Sequence, residues 1–299
     1  MTDRVTEQLN PASAGIDIVD PVAALDRLQA AQEQALASVR AAHGQIAAAA
    51  DLAADRWNRG GRLIYAGAGS SGLAAISDAL ELPGTFGLPP HRIVPLMAGG
   101  IPQDEMPGDT EDFLDEDMLS DLHLAPADCV LGITASGTTA FTTQLLASAS
   151  EMGSATIAVA NNVSAPIFEF ADISILLETP PEIVAGSTRM GTGTAQKAAM
   201  NMFSTLLGIK LGHIHDGMMI NLRADNAKLR QRAAGIVMRI ADVEVDAAVA
   251  ALTMTDSSVK EAVLYCLGVT GSTERRLLLD RHRGILRAAL SELEAESPG

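Results

Sequence analysis

The chain has 299 residues, 47% of them hydrophobic, and a formal charge of −16. That length and apolar content suit one main domain with a smaller appendage. The acidity excludes a nucleic-acid partner, whose phosphate backbone demands clustered Lys and Arg, and 3% aromatic content leaves no stacking platform for bases.

No apolar run reaches the roughly 18–20 residues that span a bilayer, and Met1 to Glu7 lacks a signal-peptide apolar stretch, so a cytoplasmic protein with no membrane partner is expected. From Pro21 to Asn58 the chain is rich in Ala, Leu and Gln with apolar positions at helical spacing, and Gly60-Gly61 ends the run; one or two helices are expected there. An alternation follows. Strands are expected over Arg62–Ala66, Arg92–Met97, Asp128–Thr134, Ala155–Ala160 and Asp172–Leu177, and helices over Ser71–Leu82, Thr139–Met152 and Thr194–Leu211. Continuously apolar strands separated by helices predict an α/β fold, a doubly wound parallel sheet flanked by helices, with ligands at the C-terminal strand ends. From about Ala224 the pattern is helical: Val243–Thr253, Ser257–Gly268 and a longer Ser272–Glu296 form a small C-terminal helical module. Cys129 and Cys266 fall in strand-like and helix-like runs and read as small buried hydrophobes without a disulfide.

Three hydroxyl- and glycine-rich stretches stand where strands end: Gly67-Ala68-Gly69-Ser70-Ser71-Gly72, Ser136-Gly137-Thr138-Thr139 and Gly186-Ser187-Thr188-Arg189. Each is expected to begin a helix, where unpaired N–H groups and the positive end of the dipole attract anions, phosphate above all. Three together predict a small phosphorylated ligand held from several sides. Gly67-x-Gly69-x-x-Gly72 has the spacing of a dinucleotide fingerprint, but the next strand ends in Met97-Ala98-Gly99-Gly100 without the acidic residue that would bind a ribose, so no nicotinamide cofactor is expected.

Two glutamates bear on chemistry. Glu81 stands at the C-terminal end of an otherwise apolar, small-residue helix, where a carboxylate opposes the dipole, although an exposed glutamate near a helix end is the commoner explanation on the residues alone. Glu111 lies in the acidic run Asp109 to Asp117, read as a solvated helix start capped by Asp109 or Thr110, and the residues alone do not single it out. His213-x-His215 has no further ligand cluster beside it, so no metal is expected.

The same residues resemble a known family. Gly67 to Gly72 is similar to the phosphate loop of sugar-isomerase (SIS) domains, and the chain more widely resembles the N-acetylmuramic acid 6-phosphate etherases. The matching motifs are Thr6-Glu7 with Asn10, Ser13 and Ile16-Asp17; Ser77-Asp78-Ala79 through Glu81, Pro83 and Thr85-Phe86-Gly87; Ala98-Gly99-Gly100 with Thr110-Glu111-Asp112; Gly186 to Met190 with Gly193 to Lys197 and Asn201-Met202; and Asn226-x-Lys228-Leu229. The resemblance implies an N-terminal helical segment over 1–59, an SIS sugar-phosphate domain over 60–222 and the helical module over 223–299. It implies cleavage of the D-lactyl ether of N-acetylmuramic acid 6-phosphate by elimination and hydration, as a homodimer with no cofactor. Glu81 would be the acid that assists the departing lactate and Glu111 the base at C2. Gly69, Ser70, Ser71, Ser136, Gly137, Thr138 and Thr139 would hold the 6-phosphate, and Ser187, Thr188 and Arg189 would line the sugar or act across the dimer.

The chain departs from the family where Thr138 replaces an arginine, where Ile101 to Gly108 differs in composition and length, and where Gly191-Thr192 replaces Lys-Ala. A non-catalytic sugar-phosphate sensor like the glucokinase regulatory protein, and an aldose–ketose isomerase of the SIS group, remain alternatives. Both glutamates together favour the enzyme over the sensor, and the context of Glu81 tells against the isomerase.

Overall fold

The computed structural model describes residues 5–102, 104, 110–222 and 226–296, which divide into two compact units. The first runs to Leu80 and resumes over Pro90–Ser204; the second comprises Glu81–Pro89 and the chain from Thr205.

The first unit is built on five parallel strands in the order β2-β1-β3-β4-β5: β1 Leu63–Gly67, β2 Ile93–Met97, β3 Cys129–Ile133, β4 Ala155–Ala160 and β5 Ile173–Leu176. Every residue of β1, β3 and β4 is buried, which is why these segments read as unbroken apolar runs. Pro95, opposite Tyr65, cannot donate to a neighbour and sits on the edge strand β2, where no second partner asks it to. The helices that lie in or begin in this unit are α1 Pro21–Ala37, α2 His43–Asn58, α3 Gly69–Phe86, α4 Glu116–Leu122, α5 Ala140–Glu151 and α6 Gly191–Lys210, with the ends of α3 from Glu81 and of α6 from Thr205 assigned to the second unit. Asp20 caps α1 by accepting from the N–H groups of Val22 and Ala23, with Pro21 at the first helical position. Helix α5 lays Phe141, Leu145 and Leu146 on Ile64, Val130 and Ala158 of the sheet, and α2 packs against β3, β4 and β5.

Three expectations change in detail. Helix α3 does not end at Leu82 but continues through Pro83 to Phe86, because the Gly87 N–H closes the last turn on the Pro83 carbonyl and Gly87 (φ +64°) supplies the left-handed cap. The acidic run does not start a helix at Thr110. Thr110–Asp112 is a separate 3-10 turn, and α4 begins after Asp115, whose carboxylate accepts from the Asp117 N–H at 2.9 Å; Asp109 lies outside the described residues. The long C-terminal helix is two, broken after Arg281.

The second unit holds a two-stranded hairpin, β6 Ile214–His215 and β7 Met218–Met219, turned by Asp216-Gly217 with both residues at positive φ. Helices α7 Ala227–Ala241, α8 Val245–Met254, α9 Val259–Cys266, α10 Ser272–Arg281 and α11 Leu286–Glu296 bury a core that includes Val237, Ala248, Val263, Leu278 and Leu286. Arg283 (φ +53°) and Gly284 (φ +75°) make the break between α10 and α11, and the Lys260 ammonium donates to the Gly284 carbonyl at 2.8 Å. Among the described residues no helix is long and apolar enough to cross a membrane.

Candidate functional site

In the strand order 2-1-3-4-5 the topology reverses between β1 and β3, and ligands of doubly wound sheets settle at the carboxyl ends of the strands beside such a reversal. A cleft of about 400 Å³ opens there, lined by Thr6, Glu7, Ala68, Gly69, Ser70, Ser71, Glu111, Ala135, Ser136, Thr139, Gly186 and Thr188.

The loop after β1 turns on two glycines packed back to back: a Cβ on Gly67 would lie 2.9 Å from Gly72 Cα. Helix α3 starts at Gly69, and its first turn closes with the Gly72 N–H on the Ala68 carbonyl at 2.9 Å. The N–H groups of Gly69, Ser70 and Ser71 therefore precede the helical ladder and are available to an anion. Gly69 adopts φ +55°, and a Cβ there would come within 2.8 Å of Glu111 Oε1. This glycine lets the carboxylate approach the loop after β1.

After β3, Ser136 Oγ accepts from the Thr138 N–H at 3.2 Å and from the Thr138 hydroxyl at 3.0 Å. Two incoming donors leave the Ser136 proton to point at a ligand. Thr138 thus orients a donor and is not in the lining of the cleft. The Thr134 and Thr139 hydroxyls are hydrogen-bonded at 2.9 Å, and the Gly137 N–H is already given to Thr134 at 3.3 Å. Gly137 (φ +78°) is buried, and any side chain on it would strike Ala165.

The third loop differs from its sequence expectation. Helix α6 begins at Gly191, and its first N–H groups are filled by a side chain of the same unit. Glu182, 4% exposed, accepts from the Gly191 N–H at 3.0 Å and from the Thr192 N–H at 2.7 Å. This helix N-terminus has its anion built in. Gly186 and Thr188 reach the cleft, while Ser187 and Arg189 are not in its lining.

Glu111 is half-buried, and burial, with the Asp112 carboxylate beside it, holds its carboxyl above the usual carboxylate range. Glu81 occupies an exposed position on α3, twelve residues and a little over three turns beyond Gly69, and is the first residue of the second unit. The helix that carries both is anchored within the first unit through Asp78. That buried carboxylate accepts from the Tyr65 hydroxyl at 2.9 Å, Asn201 Nδ2 at 2.6 Å and the Ser204 hydroxyl at 3.1 Å, yet burial still raises its pKa.

No Lys or Arg is among the described residues that line the cleft; its charges are the carboxylates of Glu7 and Glu111. Gly186 belongs to the third expected loop, whereas Thr6 and Glu7 are motif members with no expected place at the site. They reach it through contacts far apart in sequence. In the second unit, burial foremost and the Lys260 ammonium drive the His213 imidazole down to about 4, so it is neutral near pH 7. Among the described residues no group of three or more His, Cys, Asp or Glu is placed to hold a metal ion.

Residues 28–161 match the SIS domain family model. The chain is similar to a protein of Deinococcus radiodurans at 39% identity over 299 residues, covering 99% of this chain and 98% of that one. It is similar to a protein of Edwardsiella ictaluri at 37% identity over 291 residues, covering 96% and 97%. A Yersinia pestis protein matches at 38% over 295 residues, covering 96% and 98%. All three relatives bear the name N-acetylmuramic acid 6-phosphate etherase.

Proposed function

The chain belongs to the N-acetylmuramic acid 6-phosphate etherase family, and from that premise we propose that it is a carbon–oxygen lyase that splits the D-lactyl ether of N-acetylmuramic acid 6-phosphate. The products are D-lactate and N-acetylglucosamine 6-phosphate, in the recycling of cell-wall sugars, and the working form is a cytoplasmic homodimer.

One observation carries the reading at the level of residues. Hydroxyls from two strand-end loops, an open helix N-terminus and a glutamate with raised proton affinity share a single cleft. The 6-phosphate sits on the N–H groups of Gly69 to Ser71 and the hydroxyls of Ser70, Ser71, Ser136 and Thr139, with Thr138 holding Ser136 in its donating orientation. Neutral donors alone serve a dianion here, as backbone N–H groups at a helix start do elsewhere.

With the sugar in its open-chain form, C2 lies next to the carbonyl and its proton is acidic. Glu111 takes that proton, and the electron pair forms the C2–C3 double bond as the ether oxygen leaves C3. Glu81 gives its proton to that oxygen, releasing lactate. Water then adds across the double bond, the hydroxyl to C3 and a proton to C2. A base held partly out of water beside a second carboxylate binds its proton more strongly than a solvated one, which suits abstraction from carbon. Thr188 stands on the sugar side of the cleft.

Incubation with N-acetylmuramic acid 6-phosphate and an enzymatic assay for D-lactate tests the proposal. Lactate release that disappears in Glu81→Gln is expected. A folded protein that binds the sugar phosphate and releases no lactate overturns the etherase reading, and full activity in Glu81→Gln removes that residue as the acid.

A further inference from the structure

The first described residues of the chain form a strap over the cleft. The Val5 N–H donates to Asn162 Oδ1 at 3.1 Å, and Asn162 Nδ2 in turn donates to the carbonyls of Ala135 and Ser136 at 3.1 Å each. The Gly186 N–H donates to the Thr6 carbonyl at 3.1 Å, and Asn10 Nδ2 to the Pro181 carbonyl at 2.7 Å. Three anchors thus join residues 5–10 to Asn162, which itself holds the start of the second loop, to Gly186 of the third loop and to Pro181 ahead of it, and a 3-10 turn over Val5–Glu7 presents Thr6 and Glu7 to the cleft.

Neither side chain is explained by the protein around it. The Thr6 hydroxyl is buried and has no hydrogen-bond partner. Glu7 is exposed, lies over Gly186 with Oε2 3.7 Å from where a Cβ on that glycine would stand, and makes no ion pair or side-chain hydrogen bond among the described residues. A carboxylate held by an anchored backbone, in a cleft without a cation, repels a phosphate and accepts from neutral donors. The loops that supply phosphate donors are on other elements. A sugar phosphate has hydroxyls along its carbon chain, and a carboxylate with two oxygens accepts from neighbouring hydroxyls at once.

We propose that Glu7 determines specificity in this cleft by accepting hydrogen bonds from hydroxyl groups of the sugar chain, with the Thr6 hydroxyl beside it. The proposal rests on the cleft being a sugar-phosphate site but not on the elimination chemistry. The negative charge of Glu7 also places the lactyl carboxylate of a muramic substrate away from the strap, so the strap reads the polyol portion common to substrate and product.

The test is calorimetric titration of the full chain and its Glu7→Ala and Glu7→Gln variants with N-acetylglucosamine 6-phosphate and, separately, with inorganic phosphate. Hydrogen bonds to a charged acceptor predict a loss of roughly tenfold or more in affinity for the sugar phosphate in Glu7→Ala, with phosphate affinity unchanged or raised, since a repelling charge is removed. Glu7→Gln keeps one acceptor oxygen, and a smaller loss is expected. Unaltered sugar-phosphate affinity in both variants overturns the proposal. A parallel loss for both ligands overturns it too, since the strap would then only support the phosphate loops. Tight binding of the sugar phosphate with no lactate from the muramic substrate refutes the etherase reading and leaves this one standing; a wild-type chain that binds no sugar phosphate removes both.

Discussion

Helices α3 and α6 begin in the same way on paper, with glycines and hydroxyls after a strand and the promise of free N–H groups. In the fold they differ. The start of α3 opens on the cleft with Gly69, Ser70 and Ser71 in its lining, whereas the start of α6 is closed by Glu182, whose two oxygens take the Gly191 and Thr192 N–H groups. Both satisfy the rule that a helix N-terminus attracts negative charge. A carboxylate of the same chain meets that demand for α6, whereas at α3 it is left to the proposed phosphate ligand. A helix start is a binding site only where the chain has left it empty.

The comparison can be broken at either end. The largest expected effect is at Glu182: its replacement by Ala leaves two buried N–H groups without acceptors, and a loss of about 3 kcal/mol in stability is expected from denaturant unfolding. A loss below about 1 kcal/mol would mean that Glu182 does not hold α6. Next comes the open end. Ser70→Ala and Ser71→Ala each remove one donor to phosphate, and affinity for inorganic phosphate should fall roughly tenfold per serine with stability nearly unchanged, which calorimetry and thermal melts together would show. Gly69→Ala puts a methyl group on Glu111 Oε1 at a positive φ, so about 1 kcal/mol of stability and most of the activity should go together. The smallest effect is electrostatic. Because the Asp112 charge helps hold the Glu111 pKa up, Asp112→Asn lowers it. A base that must be ionised then remains active further into acid, and the acid limb of the kcat/KM profile should move to lower pH.

Much of this was legible in the chain itself. The fully buried strands β1, β3 and β4 have no polar face to break their pattern, and the partly buried edge strands β2 and β5 were recognisable from their short apolar runs between turn residues. The role of Glu182 was not legible, because a carboxylate in the loop Pro180-Pro181-Glu182 reaches its partners nine and ten residues on through a turn that has no periodicity. The break between α10 and α11 was marked by Arg281-His282-Arg283-Gly284, a basic last turn followed by glycine, but the apolar spacing on both sides continued across it. Thr6 and Glu7 stood in a recognised motif, yet only hydrogen bonds such as Val5 to Asn162, 157 residues apart, bring them to the cleft. Family resemblance indicated Glu111, and the close approach at Gly69 gives it a place beside the loop after β1.

The most direct test of the central claim, that Glu111 works as the C2 base in this cleft, is to run the reaction with N-acetylmuramic acid 6-phosphate in deuterated water and follow D-lactate and the C2 position of the product. The wild-type chain should release lactate and give N-acetylglucosamine 6-phosphate carrying deuterium at C2. Glu111→Gln should bind the substrate yet release lactate at least about a hundredfold more slowly, with no deuterium entering C2 of the unreacted sugar. Lactate release from Glu111→Gln at the wild-type rate would contradict the account.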